Sequence, residues 1–253
     1  MPVRIAVIAE AEADRRQVCE MVDRKVREHA PDWWDDEQLE VEREYCGIAP
    51  ATPFTRWCEL RGLPSPEGAL RRGGGFIGFD ARQHLHWDYP LGRKALVSCV
   101  LAKPRVDAVL LVRDMDQQPQ ERMASLAQAR DEVHGRGLSV VLALPRAKRE
   151  AWVLNGFEPA NVNEEAALAD LREDLGFDPC LRAERLDAMT HGAKRDAKRV
   201  LAKLSGNNWD REARCWGQTP WSVLSARGIG TGLSAFLADV ERNLVPLVTG
   251  RPV

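Results

Sequence analysis

The stretch Val3–Ala9 is apolar and rich in β-branched residues, the pattern of a strand covered on both faces rather than one. Behind it, Val18, Met21, Val22 and Val26 recur at helical spacing. Asp14 stands ahead of them as the expected N-cap, with Gln17 three residues later as in a capping box. Residues 30–93 lose both periods. They hold Trp33, Trp34, Trp57 and Trp87, the run Gly73, Gly74 and Gly75, and several prolines, and read as a largely irregular insertion with one strand near 39–44. Regular spacing returns with a helix expected near 94–102, a strand at 106–112, a helix at 120–134 closed by Gly135 and Gly137, and a buried strand at 138–144. This alternation predicts an α/β fold, a mainly parallel sheet with flanking helices. Past Pro145 the pattern is helical, with helices expected near 148–154, 164–175, 186–204 and 231–244. The chain is therefore expected to divide into an α/β domain, 1–147, and a helical C-terminal region, 148–253.

Composition narrows the class. The chain has 253 residues, 44% apolar and 29% charged, with 36 bases against 38 acids, which excludes a disordered tail, a collagen-like fibre and a strongly basic nucleic-acid-coating protein. The longest apolar runs, such as 108–112 and 140–144, are too short to cross a bilayer. The first apolar stretch, 5–9, is too short for a signal-peptide core and runs straight into Glu10 and Glu12. Cys19, Cys46, Cys58, Cys99, Cys180 and Cys215 are widely spaced with no C-x-x-C, as expected of reduced thiols in a cytoplasmic protein. Charge is unevenly placed: residues 1–44 carry 13 acids against 7 bases, and residues 182–216 carry 9 bases against 5 acids. Such asymmetry suits an enzyme that holds metal in one region and phosphates in another, although charge runs are also common on plain solvated faces.

The candidate chemistry lies where the strands end. In open α/β sheets ligands bind outside the carboxyl ends of the strands. The first strand delivers Glu10, and the strand ending near Val112 delivers Asp114 and Asp116. Residues two apart in extended chain face the same side, so both aspartates can meet one cation while Met115 turns away. Three carboxylates without histidine or thiolate suit Mg²⁺ or Mn²⁺. Asp14 reads equally as a helix cap or a further ligand, and Glu150 as a further ligand or a helix residue beside a core tryptophan, Trp152. On a helix over 193–204, Ala193, Ala197, Val200, Leu201 and Leu204 fall on one side. Lys194, Arg195, Lys198, Arg199 and Lys203 fill the other, with His191 just before them, as a surface for a phosphate backbone or for an acidic partner protein. His84, His86 and Asp88 have loose metal spacing, and Gly73 to Gly75 form only a loose phosphate loop. No Walker motif and no nucleophile elbow occurs.

A strand followed by Glu10-Ala11-Glu12-Ala13-Asp14 and a helix, then a strand ending in Asp114-Met115-Asp116, resembles the Toprim domain over residues 3–145. That domain is shared by type IA and II topoisomerases, bacterial primases, small RNase maturases and OLD-family nucleases. Ala11 stands where the family commonly has glycine. The resemblance implies catalytic and metal-binding roles for Glu10, Asp114 and Asp116, and small Toprim-like proteins often carry a Glu-x-Trp segment like Glu150-Ala151-Trp152. Tyr45 and Tyr89, both inside the insertion, offer no topoisomerase nucleophile, and the chain lacks a primase's polymerase and zinc modules. What remains is Mg²⁺- or Mn²⁺-dependent phosphodiester hydrolysis of DNA or RNA. With no ATPase in the chain, the resemblance implies a separate ATPase subunit as partner, in bacterial anti-phage defence. The alternative is a non-enzymatic Toprim-like scaffold that binds nucleic acid or a partner protein.

Overall fold

A computed structural model describes residues 1–49, 51–64, 87–115 and 118–251. Its centre is a parallel sheet. Strands β1 (Val3–Ala9), β2 (Arg43–Cys46), β3 (Thr55–Arg56), β4 (Ala108–Val112) and β5 (Ser139–Ala143) form it in the order β2-β1-β4-β5, with β3 pairing the last residues of β1 beyond β2. The middle strands are buried along most of their length, as two-sided coverage demands. Alternation sorts their side chains. Ile5, Val7, Ala9, Leu110 and Val141 enter one apolar cluster, whereas Ala6, Ile8, Val109, Leu111 and Val140 enter the other.

Helices cover both faces. On the first lie α1 (Glu12–His29), through Val18, Met21, Val22 and Val26, and several helices from the second half of the chain. On the second lie α3 (Asp88–Val100), through Tyr89, Leu96 and Cys99, and α4 (Pro119–Val133), through Leu126 and Val133. Helix α2 (Asp36–Glu42) opens the insertion after α1, capped by Asp35, whose carboxylate accepts the Gln38 amide.

The C-terminal part is all helical apart from turns: α5 (Arg149–Asn155), α6 (Val162–Leu175), α7 (Ala197–Ser205), α8 (Trp209–Gly217), α9 (Trp221–Arg227), α10 (Leu233–Asn243) and α11 (Val245–Thr249). Trp152 on α5 is buried, stacks on Phe236 of α10 at 5.0 Å, and donates its ring N–H to the Thr231 carbonyl. One buried cluster runs from Ile5 on β1 to Val248 on α11, so these helices and the sheet share a core. No helix among the described residues is long and apolar enough to cross a membrane.

Several local expectations are corrected. The first helix begins at Glu12, not Asp14. Ala11 is its N-cap residue, and Asp14, three positions on, accepts the Ala11 amide. The expected strand at 39–44 is the end of α2 followed by β2, because Asp35 nucleates a helix through that segment. The described insertion is less irregular than expected, and α3 starts at Asp88 rather than near Lys94, since proline is tolerated in a first helical turn and Pro90 sits there. The helix expected over 186–204 is broken. A 3-10 turn at Ala183–Arg185 and an antiparallel bridge between Asp187 and Asp196 precede it, with Gly192 at φ 77°, and regular helix starts only at Ala197.

Candidate functional site at the carboxyl edge of the sheet

Strands β1 and β4 are neighbours in parallel register, Ile8 opposite Leu111, so both release their next residues at one edge. Glu10 follows β1 directly, and Asp114 lies two residues past the end of β4. The structure thus brings these two expected acids to the same rim. The third, Asp116, lies outside the described residues, as do His84, His86 and the Gly73 to Gly75 run. Among the described residues no group of three His, Cys, Asp or Glu side chains is placed to hold one metal ion.

Both acids have cationic neighbours that their sequence positions did not announce. Arg113, between β4 and Asp114, pairs with Glu10 at 2.8 Å and reaches Asp88 at 3.6 Å. Its side chain is only 12% exposed, and the guanidinium lies over the rings of Trp57 and Trp87, at 5.2 and 4.9 Å, within cation–π reach. Trp57 bridges the rim itself: its amide donates to the Ala9 carbonyl and its ring N–H to the Val112 carbonyl. Behind them Asp88 is fully buried and accepts from Arg122 at 2.6 Å. Asp88, at loose metal spacing from His84 and His86 in the sequence, is an arginine partner in the structure.

On the other side, the Arg149 amide donates to Asp114 at 3.1 Å, at the start of α5. The Arg149 guanidinium faces a crowd of acceptors: Gln17 Oε1 at 3.2 Å, Glu150 at 3.5 Å, Glu212 at 3.6 Å and Asp14 at 3.7 Å. Glu150 is buried, and its Oε2 has no hydrogen-bond partner. Burial, aided by the nearby charges of Glu10 and Glu150, raises the Asp14 carboxyl above the usual range despite the Ala11 amide and Arg149. Because the folded state then holds that proton more tightly than the unfolded chain, stability falls as pH rises from about 4 through the raised value. Asp14→Asn, which keeps an acceptor for the Ala11 amide, should melt higher than wild type at pH 7 in EDTA and lose that advantage toward pH 4. Thermal scans across that range check it; a variant that melts lower at pH 7 contradicts it.

No protein-family model, curated protein or solved structure matches the chain. Its chemistry rests on its own side chains.

The basic segment is not a bare positive face. Lys194 and Arg199 pair with Asp174, Arg195 with Asp187 and Lys203 with Asp170, acids contributed by α6 and the 3-10 turn region. Lys194 and Arg195 precede α7, while Lys198, Arg199 and Lys203 lie on it. The segment is tied to the acidic rim through one buried residue. Asp196, the N-cap of α7, accepts from Lys148 at 2.9 Å and from the Gly192 and Lys198 amides. Burial would raise this carboxyl, but Lys148 and those amides outweigh it and hold it below the usual range. Lys148 directly precedes Arg149, so the cap of the basic helix and the partner of Asp114 are adjacent in the chain.

All six cysteines are free. Burial pushes the thiols of Cys99, Cys180 and Cys215 up to about 12 and that of Cys19 higher still, so none of these four is a nucleophile at neutral pH.

Proposed function

We propose that this chain is a metal-dependent nuclease that hydrolyses nucleic-acid phosphodiesters at the carboxyl edge of its sheet, as its likeness to Toprim domains implies. The observation that carries the reading is the delivery of Glu10 and Asp114 to one rim by adjacent parallel strands. Carboxylate oxygens are the hard donors that Mg²⁺ or Mn²⁺ requires. Two features fit a cation there: the unpartnered Oε2 of buried Glu150, and the upward shift of the Asp14 carboxyl. Glu10, Asp114 and Asp116 would hold the ion, with Asp14 and Glu150 as further ligands. A divalent ion held by these residues would supply polarisation of the scissile phosphate and charge stabilisation at the leaving oxygen.

The chain's own groups supply the rest. Arg113 balances the charge of Glu10, and the Arg149 amide fixes Asp114. Lys194, Arg195, Lys198, Arg199 and Lys203 hold backbone phosphates; their present partners are exposed pairs, weak and screened by salt, which phosphates can displace. A separate ATPase subunit, an anti-phage role and a cytoplasmic setting complete the proposal, supported by the missing Walker motif and the six free cysteines. One observation favours the second reading, a non-enzymatic nucleic-acid or partner-binding scaffold: Glu10 and Asp114 already have Arg113 and Arg149 as partners.

Asp116→Asn separates the two. It keeps the size and removes the charge, so it should abolish Mg²⁺- and Mn²⁺-dependent cleavage of single- and double-stranded DNA and RNA without lowering the melting temperature. Wild-type cleavage that survives EDTA, or undiminished cleavage by the variant at matched metal, would reject the nuclease reading.

A further inference from the structure

Between the acidic rim and the basic segment lies a cleft of about 340 Å³, within the range of about 300–1,000 Å³ typical of small-ligand sites. Its position is set by three stretches of chain: Met115 beside Asp114, the Arg146 to Lys148 turn that leads into α5, and the segment from Glu184 to Met189 before α7. The lining divides by chemistry. Met115 and Leu186 are buried beneath the cleft, while half-buried Ala188 and exposed Met189 give its accessible apolar surface, with a thioether that favours contact with flat aromatic rings.

The charged groups around it are mostly spoken for. Glu184 pairs with Arg182 at 2.7 Å, Asp187 with Arg195 at 3.5 Å, and Lys148 with Asp196 at 2.9 Å. Arg146 is exposed, and its guanidinium has no ion-pair partner among the described residues. Its backbone is nevertheless fixed, because its amide donates to the Thr231 carbonyl at 2.9 Å, the same carbonyl that receives the buried Trp152 ring N–H. The cleft therefore offers one uncommitted cation at a rigid position beside an apolar, ring-accepting surface, with carboxylates at hand to accept N–H groups.

We propose that this cleft is the nucleotide subsite of the carboxylate rim: it seats one nucleoside monophosphate unit of the bound strand, the base against Met189 and Ala188 and the phosphate on Arg146. Glu184 and Asp187 can only accept, so they suit the amine and ring N–H donors on a base edge. A strand gripped by the basic segment and leading to Asp114 passes this cleft, since Lys148 lines it and joins Asp196 of that segment to the turn before Arg149. The assignment of a strand rests on the nuclease reading; the ligand chemistry does not.

The test uses the full chain in EDTA, with AMP as probe and calorimetric titration as readout. AMP should bind, adenosine and inorganic phosphate should each bind much more weakly, and Arg146→Ala should weaken AMP by about tenfold or more, because hydrogen bonds to a charged group are the strong ones. Arg146 is exposed, so the variant should melt with wild type; Arg146→Lys should recover part of the affinity. A short oligonucleotide should displace AMP. Absence of AMP binding, or equal binding by Arg146→Ala, overturns the subsite, and AMP that an oligonucleotide cannot displace overturns its assignment to the strand. The outcome is separable from the nuclease reading: AMP binding without metal-dependent cleavage would retain the cleft and reject the nuclease, and cleavage without AMP binding would do the reverse.

Discussion

Asp88→Ala should destabilise the fold by about 3–5 kcal/mol, the usual cost of removing one partner from a buried ion pair. Asp88 is fully buried, with Arg122 at 2.6 Å and 4% exposed, and Arg113 at 3.6 Å. Alanine leaves two largely buried guanidiniums without the carboxylate between them, and both lie near Trp87, at 4.9 and 5.4 Å. The loss should be read by urea or thermal unfolding. Asp88→Asn, which keeps an acceptor but not the charge, should recover only part of it. A loss under about 1 kcal/mol would mean that the two arginines are solvated by relaxation of their surroundings. The same substitution bears on the site, because Arg113 links Asp88 to Glu10.

The sheet could be read from the sequence because its strands are covered on both faces, and that leaves a continuous apolar signal. The apolar run Val3–Ala9 coincides with β1, and the runs 106–112 and 138–144 each extend one or two residues beyond the observed strands. The shared rim of Glu10 and Asp114 followed from the parallel alternation alone. The broken helix before Ala197 escaped because the apolar spacing continues through it. What stops the helix is Gly192 at positive φ and a buried cap, Asp196, whose lysine partner lies 48 residues away. Helices α8, α9 and α11 were missed for a related reason: they are short, and only the shared core makes their few apolar residues significant. The arginines of the site left no local trace at all. Arg122 meets Asp88 across 34 residues and Arg149 meets Gln17 across 132, and no window along a sequence reports such pairs. Likewise the basic run reads as unopposed charge because its partners, Asp170, Asp174 and Asp187, belong to other segments.

Asp114→Ala should remove divalent-metal binding while sparing the fold. Asp114 lies past the end of β4, and its removal costs the hydrogen bond from the Arg149 amide, worth roughly 1.5–3 kcal/mol as a bond to a charged group. The metal should suffer more. Even outer partners of metal ligands cost about 10–100-fold in affinity when removed, so a direct ligand should cost at least about 100-fold. Glu10→Gln should act in the same direction, since it too removes a charged oxygen donor and leaves Arg113 facing a neutral amide. The most direct measurement is a Mn²⁺ titration of the full chain followed by electron paramagnetic resonance, comparing wild type, Glu10→Gln and Asp114→Ala at matched pH and salt. The account predicts that wild type captures Mn²⁺, that Mg²⁺ displaces it, and that both variants leave the free-ion signal at least about 100-fold closer to buffer in affinity terms. Mn²⁺ bound equally by all three proteins, or by none, would contradict a metal site at this rim.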